Sequence, residues 1–232
     1  MINRWVIGDI HGCIHTFRTL VEKLELQEND CLYLLGDYID RGLDSRAVID
    51  FIFTLKKQAA FQVIPLMGNH EYMLMYARED PAFFQLWMLN SGITTLRDFH
   101  LIYEGLPDQS TISKIPRAYM DFFTGLKMYE EIPGFFLCHG CFEGNAPNPI
   151  DDTNSMIWGR IEKYPEHFLK GNILVHGHTP ASLDAISKNV ENPSAKIINL
   201  DAGCVYKNTP FLGNLIALEL GSRRLVWQKN ID

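Results

Sequence analysis

The sequence predicts an α/β fold, and three observations carry the prediction. Residues 4 to 66 alternate buried strand-like runs with amphipathic helical ones. Five strand-like runs along the chain end in Asp, Asn or His beside a glycine. The C-terminal stretches "GNLIALEL" and "RRLVWQK" alternate apolar and polar residues and are joined by "GSR", the signature of a hairpin.

Each element follows in order. "RWVIG" reads as a short buried strand. "IHTFRTLVEKLEL" places Phe17, Leu20, Val21 and Leu24 on one helical stripe. "DCLYLLGD" is a second strand and "DSRAVIDFIFTLKKQ" a second amphipathic helix, with Asp44 or Ser45 as its N-cap. "FQVIPLMG" is a third strand. Strand-helix units of this size form parallel sheets with helices outside. Residues 71–127 read as a helical, aromatic-rich insert ("EYMLMYARED", "PAFFQLWMLNSG", "IPRAYMDFFTGL") with no Gly/Ser linker on either side. The whole of 1–232 is therefore expected to be one domain. Beyond Met128 come short strands in "GFFLCHG", "NILVHGH" and "AKIINLDAG" before the hairpin. This layout favours a two-layer or sandwich-like arrangement whose second half is an antiparallel or mixed sheet.

Composition narrows the function classes. The 232 residues are 47% hydrophobic and 21% charged, ordinary for a soluble protein with a core. A net charge of -7 and the lack of a run of five Lys or Arg argue against nucleic acid or an anionic membrane as partner. No apolar stretch reaches the roughly 18 residues of a membrane span. The opening "MINRWVIGDIHG" carries no signal-peptide pattern. Five scattered cysteines do not form a disulfide framework, so a cytoplasmic location is expected. "CHGC" is a single C-x-x-C without the second pair a structural zinc site needs.

The strand ends carry the chemistry. "VIGDIHG" ends in Asp9 and His11, "LYLLGDYIDRG" in Asp37 with Asp40 and Arg41 just beyond, "VIPLMGNHE" in Asn69, His70 and Glu71, "FFLCHG" in His139 and "ILVHGHTP" in His178. Ligands bind beyond the carboxyl ends of strands in α/β sheets. A lone Asp there is ordinarily a cap and a lone His a satisfied polar group. Six such residues from five strands are better explained by one site. Asp9, His11, Asp37, Asn69, His139 and His178 form an oxygen and nitrogen set too large for one tetrahedral zinc. It suits two divalent ions sharing a carboxylate, the arrangement that clamps a displacement at phosphorus. Without a sulfur ligand, manganese, iron and zinc all suit it. Arg41 is placed to take two phosphate oxygens, and Arg160 in "SMIWGR" is a second candidate phosphate clamp. His70 is free to give a proton to a leaving oxygen, with Asp40 to orient it. His176 is expected beside the site, and His15, His100 and His167 at the surface. Cys13 and Cys204 are expected as small buried apolar residues.

GDIHG, GDYIDRG, GNHE, a strand ending in HG, and GHTP occur in that order over residues 6 to 180, with "INLDAGCVY" extending the pattern. Together they resemble the calcineurin-like metallophosphoesterases, in the branch of bacterial and phage serine/threonine protein phosphatases. The resemblance implies a central β-sandwich of mixed sheets flanked by helices. It implies that Asp9 and His11 hold one metal, that Asp37 bridges, and that Asn69, His139 and His178 hold the second. Manganese is the foremost cofactor expected, with iron or zinc as alternatives. Arg41, Arg160 and Asn69 would hold phosphate, and His70 with Asp40 would serve the leaving group, while a water between the metals attacks directly. The expected substrate is a phosphorylated protein or a small phosphorylated molecule, with diadenosine tetraphosphate as the alternative. Two departures stand out. Met67 replaces the Arg of the eukaryotic RGNHE, and the long C-terminal part of the eukaryotic enzymes is missing. Symmetrical diadenosine tetraphosphate hydrolases share the first motif but commonly lack the Asp and Glu found here at positions 40 and 71.

Overall fold

A computed structural model describes residues 2–58, 60–102, 105–160 and 164–232. The strands β1 (Arg4–Ile7), β2 (Cys31–Leu34) and β3 (Gln62–Pro65) are joined by the helices α1 (Ile14–Leu24) and α2 (Ser45–Gln58). All three strands run parallel, as their helical crossovers require. The hairpin β8 (Asn214–Glu219) and β9 (Leu225–Lys229) returns to the far side of β1 and pairs antiparallel, giving the order β3-β2-β1-β8-β9. The second sheet has the order β4-β5-β6-β7. Its strands β5 (Phe135–Cys138), β6 (Ile173–His176) and β7 (Ile197–Asn199) are parallel, and β4 (Tyr129–Ile132) is antiparallel at one edge. The fold is thus mixed α/β with two mixed sheets. The strand β4, "YEEI", lacks apolar alternation and is not legible as a strand in the sequence.

Side-chain alternation divides the core. On the first sheet Val6, Tyr33 and Leu35 point to one face, where they meet Leu137, Val175 and Ile198 of the second sheet. Trp5, Ile7, Leu32 and Leu34 point to the other face and pack on Phe17, Leu20 and Val21 of α1 and Val48 and Ile52 of α2. Burying each of these large side chains contributes about 1.5–3 kcal/mol. Phe136, Cys138 and Leu174 line the outer face of the second sheet with Phe142.

In chain order the helical segment comes between the strands of the first sheet and those of the second: α3 (Asn69–Ala77), α4 (Pro81–Leu89), α5 (Gly92–Asp98), a 3-10 turn (Gln109–Lys114) and α6 (Arg117–Thr124). It begins at the site itself, because Asn69 and His70 are the first two residues of α3 and lie beyond the end of β3. Three further helices, α7 (Thr153–Trp158), α8 (Glu166–Leu169) and α9 (Leu183–Glu191), interrupt the second half, where no apolar stripe is long enough to read as a helix. No helix among the described residues is long and apolar enough to cross a membrane.

Candidate active site

The expected residues gather at the carboxyl ends of strands from both sheets. Asp9 and His11 follow β1, Asp37 follows β2, Asn69 and His70 open α3 beyond β3, His139 follows β5 and His178 follows β6. The turns that carry them are tight and sterically unusual. His11, Asp37, Asp40, Arg41 and His178 all have positive φ, between 48° and 69°. Non-glycine residues in this region cost energy and persist where the surroundings over-determine them, commonly at functional sites. Gly177 supplies a close approach: a Cβ there would lie 2.1 Å from Asp9 Oδ1, the carboxylate that the His178 backbone N–H reaches at 3.1 Å.

Asp37 sits at the centre. Its Oδ2 is 3.3 Å from His11 Nε2 and its Oδ1 is 3.4 Å from His139 Nε2. Asn69 Oδ1 is 2.9 Å from His139 Nε2 and 3.1 Å from His178 Nδ1. The other nitrogens are spoken for: His11 Nδ1 donates to Ile39 O at 2.9 Å and His139 Nδ1 to Leu35 O at 3.0 Å. These bonds fix the tautomer and leave each Nε2 lone pair facing the cluster. Arg41 places an N–H 2.6 Å from His11 Nε2.

Electrostatics agree with a cation site. Burial pushes the His11 and His139 imidazoles below their ordinary range and His178 down to about 4, and so favours the neutral, ligating form. Burial opposes the charge of Asp37, but His139, His70, His11 and Arg41 outweigh it and hold the carboxyl well below its usual value. Burial and the neighbouring Asp201 and Asp37 push Asp9 up. A divalent ion relieves such carboxylate crowding. Asp9, Asp37 and His139, and likewise His11, Asp37 and His70, bring ligand-type atoms within 4.8 Å of one another. The donor set therefore fits divalent metal.

His70 is held differently. Its Nδ1 is 2.7 Å from Asp40 Oδ2, while Nε2 is buried without a hydrogen-bond partner among the described residues, 4.0 Å from Asp37 Oδ2. Burial opposes the charged imidazole, but Asp37 and Asp40 outweigh it and raise the group above its ordinary value. Arg41 packs its guanidinium over the Tyr206 ring at 5.6 Å. Arg160 is exposed after α7, with its charge felt at His178. His176 is buried and bonded to Gly177 O; His15, His100 and His167 are exposed, and Cys13 and Cys204 are buried.

The sequence places Glu71 at the strand end but does not disclose its role, and Asp201, Trp87 and Thr95 fall outside the expected set. Glu71 accepts backbone N–H groups from Asp37, Tyr38, Ile39 and Gly68 at 2.8–3.2 Å, tying the β2 and β3 turns together. Asp201 is buried beside Asp9. It follows β7 as Asp9 follows β1, so the strand-end rule could have found it. Trp87 and Thr95, in the helical segment, hydrogen-bond to Asp40. The N-cap expected of α2 has another role, since the Ser45 hydroxyl receives the Asp40 N–H at 3.0 Å.

Comparison with known proteins agrees with this geometry. An asymmetrical bis(5'-nucleosyl)-tetraphosphatase of Anoxybacillus flavithermus is 26% identical over 87% of this chain and 85% of its own length. A symmetrical bis(5'-nucleosyl)-tetraphosphatase of Wigglesworthia glossinidia brevipalpis is 35% identical over 80 residues, which is 33% of this chain and 28% of that protein. Among solved structures, a candidate diadenosine tetraphosphatase has a TM-score of 0.67 at 18% identity, covering 99% of this chain and 94% of its own. A serine/threonine phosphatase from Saccharomyces cerevisiae has a TM-score of 0.61 at 15% identity, covering 100% of this chain and 81% of its own. Both share the fold. The sequence model of the calcineurin-like phosphoesterases matches residues 2–202. The chain belongs to the calcineurin-like phosphoesterase family and is a metal-dependent hydrolase of phosphoric esters.

Proposed function

We propose that this enzyme is a phosphomonoesterase acting on phosphoserine or phosphothreonine in proteins, with residues 1–232 working as one domain. The observation that carries this reading is the buried His70–Asp40 pair, at 2.7 Å. A serine or threonine alkoxide is a poor leaving group and gains greatly from a proton in the transition state. A nucleotide phosphate leaves readily without one. A charged imidazole, buttressed by a carboxylate and aimed by an unpartnered Nε2, is machinery for the harder case.

Asp9, His11, Asp37, Asn69, His139 and His178 would hold two divalent ions, manganese foremost. Such ions bind phosphate oxygens and make water acidic enough to be a nucleophile near neutral pH. Arg41 and Arg160 would take the remaining phosphate oxygens, with Asn69 also in reach. The Tyr206 ring stacks on the Arg41 guanidinium and helps to hold it in place. Attack of water forms one P–O bond as the ester P–O bond breaks. The attacking water gives up a proton to solvent, the departing oxygen keeps the bonding electron pair and takes a proton from His70 Nε2, and the imidazole regains its proton from solvent before the next turnover. The products are the free alcohol and phosphate. The five cysteines are scattered in the sequence without the spacing of a disulfide framework, and on that pattern we read the enzyme as cytoplasmic.

A second reading, hydrolysis of dinucleoside polyphosphates, is favoured by the relative from Anoxybacillus, whose match spans most of both chains. Metal-stripped protein reloaded with Mn²⁺ separates the two. Phosphate release from a phosphoserine or phosphothreonine peptide is compared with product formation from diadenosine tetraphosphate. Higher kcat/KM on the peptide is expected; higher kcat/KM on the dinucleotide overturns the phosphoprotein reading.

A further inference from the structure

The helical segment reaches into the site at one point. Trp87 of α4 donates its indole N–H to Asp40 Oδ2 at 2.7 Å, and Thr95 of α5 donates its hydroxyl to Asp40 Oδ1 at 2.5 Å. Asp40 Oδ2 also faces His70 Nδ1 at 2.7 Å. The carboxylate is thus gripped at both oxygens by two consecutive helices of the segment. Asp40, His70, Trp87 and Thr95 are all wholly buried. Thr95 Oγ1 further receives the Asp40 backbone N–H at 3.1 Å, so one hydroxyl fixes both the main chain and the side chain of residue 40.

The junction of the two helices suits this grip. Ser91, between α4 and α5, takes a left-handed conformation with φ 72°, turning the chain from one helix into the next. Gly92 leaves room for the indole: a Cβ there would fall 2.5 Å from Trp87 Cδ2 and Cε2. A merely apolar core would have no use for two polar donors converging on one carboxylate. Buried hydrogen-bond donors are placed at a cost unless they meet an acceptor of fixed position.

We infer that Trp87 and Thr95 are positioning residues of the reaction: through Asp40 they hold the His70 imidazole in the rotation that presents Nε2 to the leaving oxygen. This inference rests on the proposed role of His70 as the proton donor. It assigns the helical segment a part in catalysis that its aromatic composition does not disclose. Partners that orient a functional side chain without touching substrate commonly matter by about 10–100-fold when removed.

The test uses leaving-group dependence. Trp87→Phe and Thr95→Val remove the donors while nearly preserving volume, Thr95→Ser keeps the hydroxyl, and Gly92→Ala displaces the indole. Each is assayed with Mn²⁺ on a phosphoserine peptide and on p-nitrophenyl phosphate, whose leaving group departs with less help. Metal stoichiometry and thermal unfolding are measured alongside. The expected result for Trp87→Phe, Thr95→Val and Gly92→Ala is a kcat loss on the peptide on the order of tenfold or more. KM should hold, the loss on p-nitrophenyl phosphate should be clearly smaller, and Thr95→Ser should restore the peptide rate. Equal losses on both substrates, or losses that track metal content or unfolding, overturn the inference, as does full activity in Trp87→Phe and Thr95→Val. His70→Asn is run in parallel. If it shows leaving-group dependence and the donor variants do not, only the positioning role falls. If His70→Asn shows none, the proton-donor reading falls as well.

Discussion

His70 Nδ1 lies 2.7 Å from Asp40 Oδ2, with both side chains sealed from solvent. The contact spans thirty residues of sequence and links the turn after β2 to the first turn of α3. It leaves one imidazole nitrogen free of partners in a site otherwise dense with them.

Replacing either partner should therefore harm chemistry more than architecture. His70→Asn and Asp40→Asn are expected to lower kcat on a phosphoserine peptide by about 10²–10⁴-fold, the range for positioned proton transfer. Metal content should persist, because neither residue belongs to the proposed ligand set. Steady-state kinetics with metal analysis on the same preparations checks both statements. Full turnover in either variant would refute the role.

Asp37 calls for the opposite pattern. It faces His11 through Oδ2 and His139 through Oδ1, so its charge serves both halves of the cluster. Asp37→Asn should reduce bound Mn²⁺ below two equivalents and remove nearly all activity on every phosphate ester, good leaving groups included. Calorimetric titration of the stripped variant measures this. Two tight sites in Asp37→Asn would exclude a bridging role.

Glu71 is a matter of stability. Four backbone N–H groups from two separate turns depend on its carboxylate. Burial and the Asp37 charge push that carboxyl up to about 8, and the N–H donors pull against them. Glu71→Ala strands the donors in the interior, and each unsatisfied group costs about 1–3 kcal/mol. A loss of about 3 kcal/mol or more is expected, read from the urea midpoint. Glu71→Gln should lose less, since its amide oxygen still accepts. Equal stability in the alanine variant would show that the turns hold without it.

The strand-end residues were legible because the sequence rule is local. A short apolar run, then Gly and a polar ligand, marks β1, β2, β5 and β6 without knowledge of what they pack against. Asp201 obeys the same rule after β7 and could have been read in the same way. The joining of five ligand turns from two different sheets was not legible from periodicity, because the sandwich depends on long-range packing such as Val6 and Tyr33 against Val175. The parts of Glu71, Trp87 and Thr95 were hidden for a different reason. Glu71 bonds to main chain, which has no sequence signature. Trp87 lies in an apolar helix where an indole reads as core, and only its hydrogen-bond partner, 47 residues away, reveals another use. The edge strand β4 is not legible because the adjacent Glu130 and Glu131 break the apolar alternation and its pairing comes from β5.

His176 offers a test of the electrostatics that leaves the cluster intact. It is buried at the end of β6, bonded through Nδ1 to Gly177 O, and burial pushes it from its ordinary 6.5 down to about 4. Its folded pKa is thus depressed, so the unfolded chain takes up this proton first as pH falls. The neutral ring's contribution to stability is complete above pH 6.5 and is lost as pH falls toward 4. His176→Gln removes the proton while keeping a hydrogen-bond donor. Relative to wild type, metal-free His176→Gln should gain stability as pH is lowered through this window. Each pH unit is worth about 1.4 kcal/mol, so the gain approaches about 3 kcal/mol at its acid end. Taking the difference between the two proteins cancels Asp201 and Glu71, whose raised pKa values act in the opposite direction over the same range. Urea unfolding of both proteins at several pH values between 4 and 7 supplies the comparison. A difference that stays flat across the window would mean that His176 titrates normally and that solvent reaches the back of the cluster.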